Sequence, residues 1–121
     1  MELLLQKELL KSYSRLSFDF FDGKTDIECP YGTFGYCRST DNDTKTTHGQ
    51  VIFLQLDLFS QYNGLKEIQS MIKELKEMTP QFFIIEGTVV DLTDMTVSIQ
   101  KELDEERLTY HGIIELTFTY Y

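Results

Sequence analysis

Residues 51–59 read Val-Ile-Phe-Leu-Gln-Leu-Asp-Leu-Phe. Ile52, Leu54, Leu56 and Leu58 recur at every second position, and side chains two apart along a strand share a face. The alternate positions, Val51, Phe53, Gln55, Asp57 and Phe59, are only partly polar. A strand this apolar on both faces is central in its sheet, or is covered on its second side by a partner. Gln50 to Phe59 is therefore the strand around which the other elements are arranged.

Immediately before it stands Ser-Thr-Asp-Asn-Asp-Thr-Lys-Thr-Thr-His-Gly-Gln, residues 39–50, all polar or glycine. Short polar side chains compete for backbone hydrogen bonds and favour turns. Most hairpin loops run two to five residues, and longer ones are functional or disordered. Ordering such a loop costs roughly 1–2 kcal/mol per residue, and no apolar side chain here offsets that cost. The expectation is a long flexible loop over 39–50 that becomes ordered against something else.

Outward from this pair, Pro30 to Arg38 reads as the preceding strand, with Gly32 and Gly35 hinting at a bulge or close backbone approach. Met1 to Leu16 reads as a helix with Leu5, Leu9, Tyr13 and Leu16 on one face. Between them, Phe18, Phe20 and Phe21 lead to the turn signal Asp22-Gly23, and one or two of these rings should plug the base of the helix. After the central strand, Ser60 to Gly64 is a turn. Leu65 to Met78 is a second helix with the stripe Leu65, Ile68, Ile72, Leu75 and Met78, ended by Thr79-Pro80. Phe82 to Leu92 is β-rich and interrupted at Gly87. Met95, Val97, Ile99 and Leu103 alternate with polar residues, and after a charged tip at 104–107 the chain returns over Leu108 to Tyr121, which makes a hairpin. The order is α-β-β-α-β-β: an α+β fold with a mostly antiparallel sheet of four to five strands and two helices packed on one face. The 121 residues fit a single domain.

The net charge of −9 and scattered bases argue against a phosphate-tracking surface and against anionic membranes. No stretch reaches the ~18 apolar residues of a membrane span, and Met1 to Lys7 does not read as a signal peptide. Cys29 and Cys37 read as reduced thiols.

Catalytic and metal-binding patterns do not emerge. No serine sits in a G-x-S-x-G elbow. His48 lies in the polar loop and His111 on the polar face of the last strand, each reading as an isolated surface histidine. Close Cys or His pairs of zinc type are missing. Asp41 to Lys45 faintly resembles a calcium loop, but Thr46 stands at its glycine position and Ile52 at its final glutamate position. Asp91 and Asp94 read as solvated turn acids. The expectation is a protein that is not an enzyme and takes no cofactor or metal. Its interaction surfaces would be the loop residues Asp41, Asn42, Asp43, Thr44, Lys45, Thr46, Thr47 and His48. Val51, Phe53 and Phe59 on the central strand and the terminal Tyr120 and Tyr121 would add a second surface.

Several short motifs keep a familiar order. A leading helix ends near Leu16, and Cys29-Pro30-Tyr31 opens a strand. Thr44-Lys45-Thr46 to Gly49 leads into Leu54 to Ser60, an amphipathic helix follows, and Tyr110-His111-Gly112 enters the last strand. In this the chain resembles the tail-completion, or tail-to-head joining, proteins of long-tailed phages that infect Gram-positive bacteria. That family often carries a tryptophan where Phe59 stands. The resemblance implies a virion structural protein, assembled in the host cytoplasm, that caps the tail tube as a ring of six and joins it to the head connector. The free protein would be a monomer. Its partners would be copies of itself, the tail tube protein and a head-completion protein, with neither a membrane nor a specific nucleic-acid sequence. Thr40 to His48 would reach toward an adjacent ring or subunit. Another head-closure or neck component is the near alternative. From a different class, an acidic DNA-mimic inhibitor of a host nucleic-acid-binding protein would line its acids along one face, whereas these are spread.

Overall fold

The computed structural model describes residues 1–23, 28–41, 49–104 and 107–121. Along the chain run α1 (Glu2–Tyr13), β1 (Asp19–Phe21), β2 (Tyr31–Asp41), β3 (Gln50–Ser60), α2 (Lys66–Met78), β4 (Phe82–Ile85), β5 (Thr88–Asp104) and β6 (Arg107–Tyr120). The class is α+β, but the order is α-β-β-β-α-β-β-β. The six strands form one sheet in the order β1-β2-β3-β6-β5-β4. β1 lies parallel to β2, and the other pairings are antiparallel.

The two strands beyond those expected are the edges. β1 is three residues long, too short for alternation to register. β4 and β5 are split by Glu86-Gly87, both with positive φ, at 51° and 79°. Positive φ at both central residues marks the tight hairpin turn whose twist matches its strands. The Asn-Gly or Asp-Gly pair that usually announces that turn is not used here.

β3 lies third in the sheet, between β2 and β6. Ile52, Leu54, Leu56 and Leu58 are fully or nearly fully buried, with Ile114, Leu116 and Phe118 of β6 beside them. Leu5, Leu9 and Tyr13 of α1 and Ile68, Ile72 and Leu75 of α2 join the same core cluster. Both helices therefore cover one face, and each buried aliphatic contributes roughly 1.5–3 kcal/mol. α1 touches β1 and β2 at one side of the sheet and β4 at the other. A flat sheet could not reach one helix from both edges, so this one curls around α1. Phe18 is buried and Phe20 packs on Tyr13, with ring centroids 4.9 Å apart. The Tyr13 hydroxyl meets the buried Thr79 Oγ1 at 2.9 Å. Thr79 gives its only hydroxyl proton to the Leu75 carbonyl at 2.7 Å, so Tyr13 is the donor. This bond ties the end of α1 to the end of α2.

Three further expectations change. Ser39, Thr40 and Asp41 belong to β2, pairing with Ile52, Val51 and Gln50, so the polar segment outside the strands begins only after Asp41. Asp91 and Asp94 flank a bulge within β5 and do not sit in a turn. Val97 and Leu103 are exposed, Leu103 at 75%. Register gives the reason for each: Val97 pairs with Ile114 within the sheet, at the border of β5 that β4, whose pairing ends at Asp91, no longer flanks. Leu103 lies past the end of β3, where Ser60 meets Tyr110, on the two-stranded ribbon that β5 and β6 continue to Asp104↔Arg107.

Candidate functional site

The helix-free face of the sheet carries the most organised side chains. One row crosses three strands. Tyr31 of β2 pairs with Phe59 of β3, and Phe59 with His111 of β6. Their rings stack in sequence: Tyr31 on Phe59 at 4.9 Å and 27°, and Phe59 on His111 at 4.5 Å and 18°. The Pro-Tyr, Phe-Ser and His-Gly motifs, far apart in sequence, therefore meet here.

The second member of two of these motifs faces the other way, toward α2. Ser60 is fully buried; its Oγ donates to Glu67 Oε1 at 2.7 Å and accepts from the Tyr62 backbone N–H at 3.2 Å. It thereby fixes the turn into α2. At Gly112 a Cβ would sit 3.2 Å from Ile68 Cδ1 and 3.3 Å from Ile72 Cδ1, so glycine lets α2 close on the sheet. Each dipeptide places one residue on either side, as strand alternation requires.

Beside the ring ladder lies a polar relay. His111 Nε2 is 2.7 Å from Asp57 Oδ1, and His111 Nδ1 is 3.1 Å from Glu102 Oε1. Gln55 Nε2 donates to the same Asp57 oxygen at 2.9 Å. The His111 and Asp57 side chains are only 16% and 12% exposed. A neutral imidazole carries one N–H and serves one carboxylate; the imidazolium serves both. His111 is thus a brace between β3 and β5, not an isolated surface histidine. Asp57 in turn presses against the β2 bulge between Phe34 and Cys37. A Cβ on Gly35 would collide with the Asp57 carboxylate. Burial pushes the Tyr31 hydroxyl pKa up, with Cys29 and Asp57 adding to the rise.

Chemically, this arrangement fastens strands together. Both nitrogens of His111 face carboxylates, so neither offers a free lone pair to a substrate or a metal. Among the described residues no group of three or more His, Cys, Asp or Glu could hold a metal ion. Cys29 and Cys37 are free, half-buried thiols. Burial raises both pKa values, helped at Cys29 by Glu67; at Cys37 a hydrogen bond with Gln6 opposes the rise and Glu2 adds to it. No described helix is long and apolar enough to cross a membrane.

Farther along the same face, a groove of about 330 Å³ runs over β3 and β6 between β2 and β5. The Arg38 guanidinium lies 4.2 Å from the centroid of the Phe53 ring, with Asp94 and Glu115 also lining the groove. Val51, Phe53 and Phe59 are all half-buried on this open side. Tyr120 points to the helix side, packed against the core, and its hydroxyl donates to Gln50 Oε1 at 2.8 Å. Tyr121 follows the strand, exposed, with its ring close to Gly49. Asp41 is the exposed last residue of β2. Asn42, Asp43, Thr44, Lys45, Thr46, Thr47 and His48 lie outside the described residues.

Sequence reasoning did not find the Asp57–His111–Glu102 relay. The available signal was alternation, which puts Asp57 and His111 on one face of neighbouring strands; their register is visible only in three dimensions.

A scan against protein-family models finds no match, and no curated protein matches the sequence. Among solved structures, the chain is similar to one in the virion of a native gene transfer agent particle. The TM-score is 0.60 at 9% identity, over 93% of this chain and 84% of that one. At that identity the likeness is one of fold.

Proposed function

We propose that this chain is a virion structural protein that caps a tail tube as a ring and joins it to the head connector. The observation that carries this reading is the fold shared, across nearly the whole chain, with a component of a virion particle. The order of motifs noted in the sequence supports the finer assignment to tail completion, as does their convergence in one cross-strand row.

The sheet suits repeated assembly. β1 covers β2 only from Tyr31 to Thr33, and β4 covers β5 only from Thr88 to Asp91. Beyond those residues β2 and β5 have, among the described residues, no further strand on those sides, and exposed strand edges invite pairing. A ring needs two different patches on each subunit, one for each neighbour, and a sheet with two free sides supplies them. The ring would have six copies, the free chain would be monomeric when dilute and associate only weakly as its concentration rises, and the partners would be the tube protein on one side and a head-completion protein on the other. Residues 41–48 would reach toward the neighbouring ring or subunit.

The test is to delete residues 41–46 and mix wild-type and deleted protein with purified tails and heads. Negative-stain images should show caps on tails with wild-type protein and joined particles only with the intact chain. Circular dichroism should show the deleted chain still folded. Joined particles formed by the deletion would overturn the role of the loop. Tails left bare by wild-type protein would overturn the function.

A further inference from the structure

The largest exposed apolar cluster among the described residues lies at the β4 end of the open face. Ile84 is 68% exposed and pairs with exposed Val89; Phe82, also exposed, pairs with Asp91. β4 is the outermost strand, and it carries none of the lysines or prolines that usually blunt an edge. Apolar side chains exposed together mark contact surfaces. The rim of this patch is acidic, with exposed Glu86 at the hairpin turn and Asp91 beside Phe82. At the other side of the sheet, exposed Tyr36 and Arg38 stand on β2 where β1 no longer covers it.

We infer that the β4 patch of one copy docks on the β2 side of a second copy, with Tyr36 against Phe82 and Ile84, and Arg38 facing Glu86 and Asp91. This names the contact through which the proposed ring closes, and it rests on that reading. Charge decides against the symmetric alternative. Two β4 patches face to face would bring four carboxylates together in a chain already at −9, whereas the head-to-tail contact sets a guanidinium against two of them. Head-to-tail contacts also repeat, as a closed ring requires, while a symmetric pair stops at a dimer.

Sedimentation velocity over a concentration series up to the millimolar range tests the contact. Wild-type protein should self-associate weakly. Ile84→Glu should abolish the association, because it buries a charge among apolar groups. Arg38→Glu and Asp91→Arg should each weaken it about fivefold, the scale of a lost rim charge pair, and the double variant should recover most of the loss. All three positions are exposed, so circular dichroism should show native folding throughout. The inference is overturned by a wild-type chain that stays monomeric, by single variants that associate normally, or by a double variant no better than the singles. The functional reading is judged separately: wild-type caps on purified tails uphold it even if the variants cap equally well, and bare tails reject it whatever the sedimentation shows.

Discussion

Replacing His111 with alanine should destabilise the fold by about 3 kcal/mol, and the structure says where that comes from. The hydrogen bond of 2.7 Å to Asp57 joins two side chains 16% and 12% exposed. Removing it leaves a mostly buried carboxylate held by the Gln55 side chain, at a cost of about 1–3 kcal/mol. Loss of the stack on Phe59, 4.5 Å between centroids, adds about 0.5–1.5 kcal/mol. The bond to Glu102, whose side chain is 50% exposed, adds about 0–1 kcal/mol because water screens it. Urea unfolding followed by circular dichroism measures the sum. A double-mutant cycle with Asp57→Asn isolates the pair and should give a coupling of about 1–2 kcal/mol. If His111→Ala costs less than about 0.5 kcal/mol, or the two substitutions add without coupling, the brace does not exist energetically.

Tyr13→Phe should cost about 1 kcal/mol at neutral pH through the bond to Thr79. Burial raises the Tyr13 pKa, so the folded chain keeps a proton that the unfolded chain releases above about pH 10. Wild-type stability from this group is therefore complete below the unfolded value and falls by about 1.4 kcal/mol per pH unit above it. Tyr13→Phe should show a shallower alkaline loss in pH-dependent urea melts; parallel curves would refute the assignment. Gly35→Ala should cost about 1–3 kcal/mol by displacing the Asp57 carboxylate, and should also erase the His111–Asp57 coupling. An unchanged coupling would mean that the bulge and the relay are independent. Gly112→Ala meets only the tips of Ile68 and Ile72 and should cost about 1 kcal/mol or less, while Gly112→Val should cost about 1–3 kcal/mol; thermal melts that fail to separate the two would contradict the close approach of α2.

What could be read from the sequence was whatever has a local period. Ile52 to Leu58 showed its two faces, and Ile68, Ile72 and Leu75 showed a helix stripe, because the core that buries them imposes the spacing. Gly35 announced its bulge because the missing side chain is itself the signal. β1 and β4 escaped as separate strands: three and four residues are too few to establish a period, and their partners are chosen by tertiary packing. Val97 and Leu103 misled because alternation reports which side a residue faces, not whether anything lies on that side. The brace at His111 depends on the register of three strands, and no single segment encodes that.

The contact of α1 with both borders of the sheet has a mechanical outcome. A lone helix acts as a gauge block: the bulk of Leu5, Leu9 and Tyr13 holds β1 and β4 apart. In any array built by linking those borders, the wedge angle of each unit, and with it the diameter of the closed circle, would follow from the girth of that one helix.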